Sequence, residues 1–147
     1  MSMNLTRLMF ALKNYEGTGP IKNGRYFYYT CPAGKLTIGI GRNLQDRGLS
    51  GEEVKFLLEN DIKDSIEDCN RLFTNFESLD DVRQEVLVNM MFNLGYDRLS
   101  KFRNMIKAIS INDYIEAGKQ MKDSSWYNQV GKRAKDLVVA MTTGKFA

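Results

Sequence analysis

Apolar and polar positions keep helical spacing along most of this chain and switch to a β pattern only near the start. Leu5, Leu8, Met9 and Leu12 recur three and four apart, with Ala11 and Tyr15 extending the same side, which predicts an amphipathic helix over 3–14 ending near Glu16-Gly17. Thr18 to Gly24 is rich in Gly, Pro and Asn and is expected to be irregular. Two β-prone runs follow, 25–30 and 35–40, separated by Cys31-Pro32-Ala33-Gly34, a hairpin signal.

Helical periods return after the hairpin. Ser50-Gly51-Glu52-Glu53 has capping-box spacing and predicts a long helix over about 51–73, with Val54, Leu57, Leu58, Ile62 and Ile66 on one face. Ser78 is the expected N-cap of the next helix. Its Val82, Val86, Leu87, Met90 and Met91 are dense enough to predict a core helix buried nearly all round. Shorter helices are expected at about 99–109, 112–121 and 129–142, the last two separated by Asp123-Ser124-Ser125-Trp126, with Trp126 as a core anchor. The chain has no internal repeat, low-complexity tract or linker, so the pattern predicts a single mainly helical α+β domain over 1–147.

Composition narrows the function classes. With 147 residues, 43% of them hydrophobic, the chain can bury one core or two small lobes. No apolar run approaches the ~20 residues of a spanning helix, so no stable membrane insertion is expected. Arg7 and Lys13 interrupt the first fifteen residues and no small-residue cleavage site follows, so no secretory signal is expected either. Cys31 and Cys69 then read as two reduced cytoplasmic thiols. Residues 98–147 carry ten Lys+Arg against four Asp+Glu, whereas 1–97 carry eleven against fourteen. The basic C-terminal third suggests attraction to a polyanion; a merely solvated surface accounts for it equally well. Nucleic acid is not the expected partner, because there is no dense Lys/Arg helix face and no recognition-helix pattern. With no paired Cys/His spacing, no metal or other cofactor is expected.

Candidate chemistry gathers around the β region. Between Glu16 and Thr37 there is no Asp, no other Glu and no His, so a site built there has one carboxylate, one thiol and one hydroxyl. Each has a plainer explanation: Glu16 as an exposed helix-terminal acid, Cys31 as a turn residue before Pro32, Thr37 as an ordinary strand residue. Gly39 and Gly41 would allow a sugar or a neighbouring backbone to approach closely, or mark a bulge.

Four blocks taken in order change that weighting. Glu16-Gly17 at the end of the first helix, Thr37-Ile38-Gly39-Ile40-Gly41 on the hairpin, Asn89-Met90-Met91-Phe92-Asn93-Leu94-Gly95, and Trp126-Tyr127-Asn128-Gln129 with Arg133-Ala134 together resemble the T4-type phage lysozymes, glycoside hydrolase family 24. The resemblance runs from about residue 5 to Phe146. It implies a two-lobed lysozyme-like fold. A β-containing lobe would span about 15–60, a helical lobe 1–14 plus about 74–147, and the helix at about 51–73 would connect them, with the glycan held between lobes.

The same resemblance implies hydrolysis of the β-1,4 bond between N-acetylmuramic acid and N-acetylglucosamine in bacterial peptidoglycan. Glu16, Cys31 and Thr37 are the implied catalytic residues, and Phe92, Asn93, Gln120 and Gly41 the implied substrate-binding positions. The five residues between Cys31 and Thr37 match the family's spacing; the fourteen between Glu16 and Cys31 exceed its usual eight, implying an insertion within Thr18–Tyr29. Arg42 stands where a His is usual, so any His-carboxylate pair there is absent or replaced by an Arg pair. Chemically the set fits. A carboxyl at a helix C-terminus is disposed to keep its proton and serve as general acid. Cys31, activated by a cation such as Lys35, Arg25 or Arg42, would attack the anomeric carbon or deprotonate a water held by Thr37. The implied protein is a monomeric endolysin that needs no cofactor and reaches the wall from the host cytoplasm after release by a holin. A non-catalytic module that binds the cell wall or another polyanion is the alternative, and it would bind without cleaving.

Overall fold

The computed structural model describes residues 2–147 and divides into two compact units, one ending at Lys55 and one running from Phe56 to Ala147. Residues 2–14 fall in the first unit.

The first unit opens with helix α1 (Leu5–Glu16). Asn4 caps it by accepting the Arg7 N–H at 2.9 Å, and Gly17, at φ 73°, turns the chain out while its N–H donates to Lys13 O. The helix runs two residues beyond the predicted end, so Glu16 is its last residue.

The next stretch corrects the expected loop. Strands β1 (Ile21–Lys22) and β2 (Arg25–Tyr26) form a hairpin around Asn23-Gly24, whose φ values of 51° and 74° suit the mirror-image turn that an Asn-Gly pair favours. The run 25–30 is therefore not one strand: its first half closes this hairpin. Its second half begins a three-stranded antiparallel sheet of β3 (Tyr29–Thr30), β4 (Leu36–Ile38) and β5 (Arg42–Asn43), with Thr37 opposite both Tyr29 and Asn43. The predicted strand 35–40 stops at Ile38, because Gly39 and Gly41, at φ 63° and 71°, turn the backbone into β5. A short helix α2 (Leu44–Arg47), capped by Asn43, follows; its Gln45 accepts the Leu36 N–H.

Helix α3 (Gly51–Leu72) starts with the predicted capping box: Ser50 Oγ accepts the Glu53 N–H at 3.2 Å and Glu53 accepts the Ser50 N–H at 2.8 Å. The boundary between the units falls inside this helix.

The second unit holds the core. A 3-10 turn over Phe76–Ser78 precedes α4 (Asp81–Leu94), and five further helices follow: α5 (Tyr96–Leu99), α6 (Arg103–Ser110), α7 (Tyr114–Lys122), α8 (Ser125–Val130) and α9 (Lys132–Thr143). Ser78 is not the cap of α4: its hydroxyl donates to Asn75 O inside the 3-10 turn, and Asp80 accepts the Arg83 N–H instead. Val86, Leu87, Met90 and Met91 are buried as expected, but α4 is not covered all round, since Phe92 is 44% exposed. Helix α8 fills the segment expected as a separator, because Ser124 caps it. Trp126 is buried, edge-on to Phe102 at 6.4 Å, and anchors this core. Arg83 ties α4 to α9 by donating to Met141 O at 2.8 Å while its guanidinium lies 3.7 Å from the Tyr114 ring. The architecture is α+β and mainly helical, as the pattern predicts, and no described helix is long and apolar enough to cross a membrane.

Candidate active site

Within the first unit, α1 delivers the carboxyl of Glu16 to the turn after β4. A β-carbon placed on Gly41 would lie 3.2 Å from Glu16 Oε2 and 3.3 Å from its carboxyl carbon, closer than a side chain normally tolerates. Gly41 thus serves two ends: its positive φ makes the turn, and its missing side chain leaves room for the acid. The sequence blocks that carry Glu16 and Gly41 meet here, although twenty-four residues separate the two in the chain.

Cys31 occupies the tight connection between β3 and β4. Its N–H donates to Lys35 O at 2.9 Å, and the Gly34 N–H returns to Cys31 O at 2.8 Å, folding the turn around the sulfur. The thiol is held below its ordinary value, chiefly by the backbone N–H of Lys35; burial opposes the shift, and Ala33 N–H and the Thr37 hydroxyl add to it. The expected cations are not the cause. The Lys35 ammonium lies 3.4 Å from Asp46, and Arg42 pairs with Glu53. Lys35 acts through its main chain, a contribution with no side-chain signature; the short Cys31–Lys35 connection is the only sequence cue for it.

Thr37 is buried on the central strand, and its hydroxyl donates to Lys35 O at 2.8 Å. That hydroxyl has one proton. While Lys35 O holds it, Thr37 presents only lone pairs to its other neighbours; when the hydroxyl rotates, the same proton can support a Cys31 thiolate. Tyr29, opposite Thr37 in the sheet, donates its phenol to Gly39 O at 3.1 Å and steadies the turn that faces Glu16. Sequence reasoning did not single out Tyr29.

Of the two outcomes the sequence left open at Arg42, the structure shows a pair. The Arg42 guanidinium bridges Glu53, the same carboxylate that closes the α3 capping box. The Ser50 N–H first, then Arg42, hold Glu53 below the usual carboxylate range.

The remaining candidates lie in the second unit. Phe92 lines an open apolar groove of about 650 Å³ with Leu58, Ile62, Ile66 and Val88, bordered by Glu77, Asp81 and Glu85. Asn93 accepts the Trp126 indole N–H at 2.8 Å, which fixes its carbonyl oxygen towards the core and orients its amide group. Gln120 donates to Glu116 at 2.8 Å and lines two open depressions beside α6 and α7, one of them also lined by Met105. Cys69 is buried in the core, where burial pushes its thiol up to about 12.

Residues 13–140 match the phage lysozyme family, a span that includes every candidate above. The chain belongs to that family. The relatives include probable T4-type lysozyme 2 of Dictyostelium discoideum, 33% identical over 99 residues that make up 65% of this chain and 58% of that protein. Probable T4-type lysozyme 1 of the same organism is 30% identical over the same shares. The pre-baseplate central spike protein Gp5 of Enterobacteria phage T4 is 29% identical over 114 residues, 74% of this chain but 20% of that protein. This lysozyme-family chain therefore spans 58% of the length of its two Dictyostelium relatives.

Proposed function

We propose that this lysozyme-family protein is a muramidase. It cleaves the β-1,4 bond between N-acetylmuramic acid and N-acetylglucosamine in bacterial peptidoglycan, with Glu16, Cys31 and Thr37 as its reacting groups. The observation that carries the reading is the seating of the Glu16 carboxyl against Gly41: an acid at a helix end meets the Thr-Ile-Gly-Ile-Gly segment, both inside the span that matches the family. Glu16 donates its proton to the leaving glycosidic oxygen. Cys31, its thiolate favoured by the Lys35 N–H, acts on the opposite side of the sugar, either by attacking the anomeric carbon or by taking a proton from a water that Thr37 orients. Gly41, Phe92, Asn93 and Gln120 are the proposed sugar-binding positions. Under this reading the protein works in host lysis, reaching the wall through a membrane lesion made by a holin.

Mass spectrometry of purified peptidoglycan digested by the protein tests the bond assignment. New reducing ends on N-acetylmuramic acid are expected. Reducing ends on N-acetylglucosamine, or 1,6-anhydro products, would overturn the muramidase reading. The anomer released at first turnover, read by NMR, separates attack by Cys31 (retention) from activation of water (inversion).

A further inference from the structure

The β1–β2 hairpin carries two cations that no carboxylate among the described residues pairs with. Lys22 and Arg25 are direct cross-strand partners, an arrangement in which like charges repel. No Asp or Glu occurs between Gly17 and Gln45, and neither cation forms an ion pair among the described residues. The Lys22 ammonium lies 5.8 Å from the Phe27 ring centre, and that ring is 43% exposed. Tyr26, on the opposite face with Ile21, is also exposed.

This hairpin is anchored at its base. The Phe27 N–H donates to Pro20 O at 3.0 Å, and Gly19 lies so flat on the Tyr29 ring that any side chain there would overlap it. Tyr29 in turn pairs with Thr37 in the sheet and holds Gly39 O. Two cations without a carboxylate partner and an exposed ring are thus fixed to the sheet that carries Thr37, on the segment joining Glu16 to Cys31. Neither cation has a counter-ion among the described residues, so an anion bound between them would relieve their repulsion.

We propose that Lys22, Arg25 and Phe27 form a subsite for the carboxylates of the peptide stems on the wall glycan, and so give the protein a preference for stem-bearing over neutral glycan. The inference rests on the muramidase reading for its ligand: on that polymer each muramic acid carries a stem with free carboxylates and short alkyl side chains, matching two cations beside an aromatic ring.

The test is cosedimentation of the full chain with insoluble peptidoglycan stripped of phosphate polymers, native or with its carboxylates capped as methylamides. It is run on Glu16→Gln protein so that the polymer stays intact. Exposed ion pairs are individually weak, so an affinity loss of about fivefold is expected for Lys22→Gln/Arg25→Gln on native polymer, with no further loss on capped polymer. The protein with the hairpin intact should lose a similar factor on capping. A control that removes the same charge elsewhere, Lys132→Gln/Lys135→Gln, should lose less than about twofold, as expected for screened, non-specific attraction. Undiminished binding by the hairpin variant, equal loss by the control, or equal sensitivity of the hairpin variant to capping would each overturn the subsite. Binding is read without catalysis, so failure of the muramidase reading appears separately, as the absence of released reducing ends in the unmutated protein. Unchanged thermal unfolding of the variants excludes misfolding as the cause.

Discussion

At the scale of single residues, Cys31 shows how little side-chain identity says about activation. Its position six residues before Thr37 is visible in the sequence, and so are the cations expected to activate it. The group that does so most is an amide N–H, which every residue but proline has. The consequence is measurable. A thiol held below its ordinary value of 9.0 forms thiolate at lower pH, so the alkylation rate of Cys31 by iodoacetamide should rise through a midpoint below 9.0. Cys69, buried and pushed up to about 12, should stay unmodified in the folded protein. Lys35→Ala keeps the amide and should leave the Cys31 midpoint where it is; a rise to 9.0 would mean that the ammonium is the cause.

At the scale of elements, helices were far more legible than strands. A helix of ten or more residues repeats its period several times, and α3 announced its start through Ser50 and Glu53. The strands are two or three residues long, too short to show alternation, so the run 25–30 concealed the boundary between two hairpins. Asn23-Gly24 was the readable signal for the first of them. The turn between β4 and β5 has an equally specific requirement. Gly41→Ala would force a side chain into a left-handed conformation and press it against the Glu16 carboxyl. A stability loss of about 1–2 kcal/mol is expected from the backbone alone, read by urea unfolding, with a fall in turnover as Glu16 is displaced. Full turnover in that variant would mean that the seating of Glu16 on Gly41 is incidental to the chemistry.

Across the whole molecule, the structural units redraw the charge distribution. The sequence divides into an acidic front and a basic tail near residue 97, but that tail folds with the acids of α3 and α4. The second unit accordingly carries thirteen Lys+Arg against fourteen Asp+Glu, whereas the first carries eight against four. The cationic unit is the one that holds Glu16, Cys31, Thr37 and the unpaired hairpin, which favours an acidic polymer at the candidate site rather than at the C-terminal helices. Linear sequence could not show this, because the unit boundary falls inside a continuous helix whose pattern does not change there.

The central claim, that Glu16 acts as the proton donor in glycan cleavage, is tested most directly by the rate of reducing-end release from purified peptidoglycan by the unmutated protein and by Glu16→Gln. Gln fills the same space beside Gly41 but has no acidic proton, so turnover should fall by about 10²–10⁴-fold while thermal unfolding and binding to the polymer persist. Undiminished release by Glu16→Gln would contradict the account.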